Sequence, residues 1–316
     1  MKKTVLALVV IAAVAGAGLY YVNLKAEEAI KEQLAQANKS YRDMADKGEM
    51  PLIALAYQDV SANVLLSSYS ISGLEVSFGD MGTVATVDHI AASGMQPQGL
   101  SDNGRVKITG IKAAPAVLQM LPPHSSAFLQ GIVLSGDYDY AYNDNGELMF
   151  SQQTRINDEF AVNYNFSFAQ MQQFWQFAKE MSALPPEQQQ ALAADEAYMA
   201  QVIEKLAAGA LKNGAITIEN HGFIERALAL TAEQGQTPDY RTVQGMALAG
   251  IGSAPQIPQE IKDTLTAFVQ KPEKLTLSFG FDEPLVFAKV QTGELAEHMV
   301  SPEAMMKFAN VKLAAN

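Results

Sequence analysis

Apolar residues recur along this chain with one of two periods, and the switches between them mark its organisation. From Lys25 to about Lys47, Ala26, Ala29, Ile30, Leu34 and Ala37 form a thin stripe at helical spacing. Glu27 with Lys31 and Glu28 with Glu32 stand four residues apart on the polar faces. The pattern predicts a helix, expected to stand away from the rest as a stalk.

From Pro51 the period becomes two. Leu74, Val76 and Phe78 alternate with Glu75 and Ser77, and Val106 and Ile108 with Lys107 and Thr109. The clearest strand region is 131–168. Tyr138, Tyr140 and Tyr142 share one face, the turn Asn143-Asp144-Asn145-Gly146 follows, and Leu148 and Phe150 resume the alternation. A second turn at Asn157-Asp158 leads to Phe160, Val162, Tyr164, Phe166 and Phe168, all on one face. Alternation and turn chemistry agree on an antiparallel meander with one apolar face.

Beyond Ala169 the period returns to that of a helix. Met171, Phe174, Trp175, Ala178 and Met181 make one stripe, stopped by Pro185-Pro186; Met199, Val202, Ile203, Leu206 and Ala210 make a second. Ile261, Leu265 and Phe268 make a third behind Pro258, with short strands expected at 215–218 and 275–281. A strand running into a helix or turn recurs four times, beginning near Val106, Phe166, Ile216 and Leu275, which suggests a weak β-then-α repeat.

The N-terminus has neither period. Lys2 and Lys3 precede an uncharged run from Thr4 to Val22, which as a helix reaches roughly 28 Å against a hydrocarbon thickness of about 30 Å. Leu19, Tyr20, Tyr21 and Val22 prolong the run and favour a retained anchor. A cleavable signal peptide is the alternative, because Ala13-Val14-Ala15 and Ala15-Gly16-Ala17 fit the small-residue cleavage pattern. Both place the remainder outside the cytoplasm, in a bacterial periplasm.

A net charge of −12 argues against nucleic acid and anionic lipid surfaces as partners. With no cysteine in the chain, thiol catalysis, thiolate metal sites and disulfides are all excluded. Among the four histidines, His89, His124, His221 and His298, none has the four-residue spacing that brings two imidazoles to one metal. His221 in Glu219-Asn220-His221-Gly222 is the best acid–base candidate, at the end of a strand before a helix carrying Glu225 and Arg226. The competing reading is a helix cap, with Gly222 relieving the turn. Serine-elbow, P-loop and dinucleotide fingerprints are missing, so no cofactor is expected. Phe166, Phe168, Met171, Phe174, Trp175 and Met181 could line a groove for an apolar ligand, or form the core face of a helix on a sheet; the core reading is preferred.

The segment Glu27 to Asn38, followed by Ala56-Tyr57-Gln58-Asp59-Val60 and Val64-Leu65-Leu66-Ser67-Ser68, resembles the YdgA-like family of bacterial envelope proteins. The resemblance covers about the first 80 residues, and the chain lacks the glycine usual before the Ser pair. A looser similarity to AsmA-like envelope proteins rests on the N-terminal anchor and long amphipathic sheets. Neither resemblance implies catalytic residues.

The expected architecture is α+β: an N-terminal transmembrane helix, a curved antiparallel sheet (meander) with helices packed on it, and a mostly helical C-terminal half. Residues 1–24 are the expected anchor, 25–50 a juxtamembrane helix, 51–168 a β-rich region, and 169–316 a helix-rich region on the same sheet. The expected role is a non-enzymatic envelope protein held at the inner membrane by residues 4–22, binding an envelope protein or lipid. A periplasmic hydrolase, its carboxylates and His brought together from distant segments, is the alternative.

Overall fold

The structure, a computed structural model, describes residues 26–63, 67–94, 100–184, 188, 192, 195–295, 298 and 300–316. The segment Thr4–Val22, the Val64-Leu65-Leu66 part of the N-terminal motif and the Pro185-Pro186 stop lie outside the described residues.

Eleven described strands form one sheet: β1 (Ile53–Ala56), β2 (Asp59–Asn63), β3 (Ser68–Phe78), β4 (Thr83–Ser93), β5 (Asn103–Ala113), β6 (Leu134–Tyr142), β7 (Leu148–Ile156), β8 (Phe160–Ala169), β9 (Ala210–Asn220), β10 (Lys274–Val286) and β11 (Lys312–Ala315). The order is β1-β3-β4-β5-β6-β7-β8-β9-β10-β11, with β2 also pairing β3. From β2 onward each neighbour in sequence is thus also a neighbour in space, as short connections favour. Two compact units divide the chain: one runs to Asp139 and includes Ala178–Gln189, the other comprises Tyr140–Phe177 and Gln190–Asn316.

In the first unit, which also carries the short helices α2 (Pro115–Gln119) and α3 (Pro123–Gln130), the helix α1 (Ala26–Asp46) lies against the sheet. Ile30 and Leu34 are buried in one cluster with Ile53, Leu55, Leu74, Val76 and Val87. Its polar side supplies Asn38, whose Nδ2 donates to the Leu55 carbonyl at 2.8 Å while its Oδ1 accepts from the Leu55 amide at 2.7 Å. The helix therefore satisfies the free edge of β1 as well as covering the core, and it is not the free-standing stalk its thin stripe suggested. Burial along β3 steps from Ile71 to Leu74 and along β4 from Val87 to Ile90, three residues rather than two. At that row Gly73 and Gly110 have φ of +59° and +72°, with the Gln58 and Asp88 side chains lying where a Cβ would project. Glycine alone accepts that backbone and that approach.

In the second unit β7, β8, β9 and β10 align Phe150, Phe166, Gly214 and Phe279 in one cross-strand row. The next row is Gln152, Tyr164, Ile216 and Leu277, and the one beyond is Thr154, Val162, Ile218 and Leu275. These rows alternate with polar ones such as Gln153, Asn163, Thr217 and Thr276, so the sheet has one apolar face. The helices α5 (Glu196–Ala207), α6 (Phe223–Glu233), α7 (Tyr240–Ser253) and α8 (Gln259–Gln270) contribute no fully buried residue among those described.

The architecture corrects the sequence expectation in three respects. No helix among the described residues is long and apolar enough to cross a membrane. The C-terminal half carries more helix than strand, as expected, but β9 and β10 run for 11 and 13 residues, well beyond the expected short strands. Polar Lys212 and Asn213 and the small Gly214 hide the alternation in β9, and a register shift between Gly280 and Leu285 hides it in β10. Finally, the second helical stripe does not become core. Ala210 begins β9, while Met199, Ile203 and Leu206 are 44%, 53% and 40% exposed.

Candidate functional site

The six apolar candidates come together only in part. The Met171 amide donates to the Gly146 carbonyl at 2.9 Å and Gln172 Nε2 to the Asn145 carbonyl at 3.1 Å, so the 143–146 turn fixes the start of helix α4 (Gln172–Ser182). That turn is held in its turn by Asn143 Oδ1, which accepts from the Asn145 and Glu147 amides. Met171 and Trp175 are buried. Trp175 stacks on Tyr142 with ring centres 4.9 Å apart and meets Tyr140 at 5.8 Å. The helix thus packs its indole on the β6 tyrosines. Phe166 and Phe168 instead belong to an aromatic set with Phe279 and Phe287 at 6.3 and 6.2 Å. Phe174 and Met181 are half-buried. Met171 and Trp175 are therefore packing residues of the second unit.

The acid–base candidate resolves into a cap. Asn220 is 2% exposed; its Oδ1 accepts from the Ile224 amide, and its Nδ2 donates to Glu225 Oε2 and the Pro272 carbonyl. Gly222, at φ +103°, makes the turn, and Glu219 pairs with Lys274 at 2.8 Å. His221 is exposed, its amide donating to the Glu159 carbonyl. Among the described residues no group of three or more His, Asp or Glu side chains could hold a metal ion.

The first unit holds a cleft of about 460 Å³ that no motif marked. Cross-strand register builds its floor. Ser61, Ser70, Ala91 and Lys107 are aligned across β2, β3, β4 and β5, and Asn63, Ser68, Ser93 and Arg105 form the adjacent row on the same face. These rows alternate with the buried Tyr69, Ala92 and Val106, so the same strands that bury aliphatics on one side present hydroxyls and cations on the other. Ser61 Oγ and Ser70 Oγ are 2.8 Å apart. Arg105 lies 3.3 Å from Asp137 Oδ1 and 3.4 Å from Asp139 Oδ1. No carboxylate among the described residues pairs with Lys107. Burial pushes the Tyr69 phenol far above its ordinary value, so it carries no charge here. The next row on this face brings Ser72 Oγ within 3.1 Å of His89 Nδ1, and no carboxylate among the described residues orients that imidazole.

The cleft could have been suspected only from the polar alternation Ser61, Asn63, Ser68, Ser70 with Arg105 and Lys107, which by itself reads as solvated strand face.

A family model described as "Uncharacterized protein" matches residues 153–316, more than half of the chain. The chain belongs to that family. The match runs from β7 to the end of β11, whereas the cleft is built from β2 to β5. No curated protein matches the chain.

Proposed function

We propose that this chain is an exported, non-catalytic binding protein of a bacterial envelope, taking its ligand in the cleft of the first unit. The observation that carries the reading is the floor of that cleft: serine hydroxyls, an amide and two cations on regular strands, in a space the size of a small-molecule site. Rigid strands hold such donors in place at little entropic cost on binding. Lys2, Lys3 and the apolar run 4–22 support export, and the YdgA-like resemblance of the first 80 residues supports an envelope role.

Native mass spectrometry of the protein recovered from an envelope fraction tests this. A small bound species is expected, and it should be lost when Ser93→Trp fills the cleft while the circular dichroism spectrum is unchanged. Retention of that species in the filled variant, or recovery of the protein from the cytoplasm alone, would overturn the reading.

The Ser72–His89 contact favours a second reading, a hydrolase with serine as nucleophile and imidazole as base. It has no orienting acid for His89 among the described residues, so the pair is weaker than a triad. Turnover of p-nitrophenyl acetate that disappears in Ser72→Ala would move the assignment to this reading.

A further inference from the structure

We infer that the cleft selects a small polyhydroxylated anion, a sugar acid or a sugar phosphate in chemical class, with Lys107 meeting its negative group. The inference rests on the reading of the cleft as a binding site and adds the chemistry of the ligand. The whole chain carries a net charge of −12, so its distant field repels anions. Recognition of an anion therefore has to come from charges within a Debye length, about 8 Å at physiological salt.

Locally two cations, Arg105 and Lys107, stand with two carboxylates, Asp137 and Asp139, so the cleft is near neutral rather than acidic. Asp137 and Asp139 offset Arg105, whereas Lys107 has no acidic partner among the described residues. Asp59, on β2, lies three strands from β5, roughly 14 Å away at the usual strand spacing. Lys107 and Arg105 stand two residues apart on one face, about 7 Å, which lets an anionic group sit between an ammonium and the guanidinium donors left over from the aspartates. The Arg105 side chain is 58% exposed, so those donors are open.

The rest of the floor sets the second half of the ligand's chemistry. Ser70 and Ser93 each offer both donor and acceptor capacity, matching vicinal hydroxyls on a ligand. An apolar ligand would strip water from these groups and from Lys107 without returning hydrogen bonds, at a cost of several kcal/mol for the ensemble. An anion with no hydroxyls would leave the serine rows unused.

Titration of the full-length protein with D-glucuronate, glucose 6-phosphate, D-glucose and inorganic phosphate, followed by calorimetry and by amide shifts of Ser70 and Ser93, tests the inference. Glucuronate or glucose 6-phosphate should bind at least about tenfold more tightly than glucose and than phosphate. Lys107→Ala should weaken that binding by about tenfold or more, and Lys107→Arg should restore most of it. Equal binding of glucose, or no effect of Lys107→Ala, overturns the anion selection. If Ser93→Trp still abolishes binding in that case, the cleft remains the site and only the ligand class is wrong. Phosphate binding as tightly as the sugar anions overturns the hydroxyl half. No shift at Ser70 or Ser93 with any of the four probes overturns the inference, while loss of the envelope-derived species in Ser93→Trp would still uphold the cleft.

Discussion

The two units use the same antiparallel pairing but cover it differently. In the first, an amphipathic helix presses Ile30 and Leu34 onto aliphatic rows, and Ile53, Leu74, Val76 and Val87 are each about 1% exposed. In the second, Ala161, Met171, Trp175, Ala210 and Leu295 are the fully buried apolar residues among those described, and the long rows of Phe, Ile and Leu stay half-buried. Aromatic neighbours substitute for depth there: Phe279 meets Phe281 at 6.0 Å, and Phe281 meets Phe308 at 5.4 Å. Such pairs add about 0.5–1.5 kcal/mol each beyond their burial. The contrast teaches that an alternating strand announces an apolar face without announcing how completely it is covered.

The comparison breaks most visibly at Trp175, the point where the second unit is packed as deeply as the first. Trp175→Ala should cost about 3–5 kcal/mol in urea unfolding, since it empties the space over Tyr142 and Tyr140. A loss below about 1 kcal/mol would mean that the indole is a surface group.

Matched truncations sharpen the contrast. Leu74→Ala should cost about 2–5 kcal/mol and Leu277→Ala distinctly less, because Leu277 is already partly in contact with water. Equal losses would show that burial does not separate the units.

Gly214 tests whether aromatic pairing organises the second sheet. A Cβ there would come within 2.6 Å of the Phe279 ring and 2.7 Å of the Phe166 ring. Gly214→Ala should therefore destabilise by about 1–3 kcal/mol through overpacking, visible as a lower melting temperature, and Phe166→Leu in the same chain should recover part of it.

The smallest effect concerns pH. The hydrogen bond from Lys212, then that from Asn143, holds the Glu147 carboxyl below its ordinary value of 4.5. A carboxyl depressed in the folded state stabilises above its unfolded value and loses that contribution as pH falls through its folded value. Melting temperature measured from pH 6 down to 3 should fall less steeply for Glu147→Gln than for the parent chain. Identical curves would show that the pair contributes nothing measurable, as is common for exposed ion pairs.

Legibility in the sequence followed the distance over which each feature is encoded. The turn at 143–146, the alternation of β7 and β8, and the stripe of α4 each lie within a dozen residues, and the structure has all three. The cap at Asn220 was readable for the same reason, since Asn before a glycine and a helix is a local signal. What failed were predictions that needed a partner. The stripe of α1 was read as a stalk because nothing near it in sequence names the sheet rows that Ile30 and Leu34 cover.

By itself, then, the amino-acid sequence determined helices α1, α4, α5 and α8, the central meander, its turns, the lack of thiol chemistry and the acidic charge, all of which follow from residue type and short-range spacing. Tertiary structure decided that the sheet runs on through β9, β10 and β11, that Ile30 and Leu34 are core, and that Lys107 stands in a row with Ser61 and Ser70. The reason is physical: backbone propensity and turn chemistry act between near neighbours, whereas cross-strand register joins residues tens of positions apart, and only the paired sheet brings their side chains onto one floor.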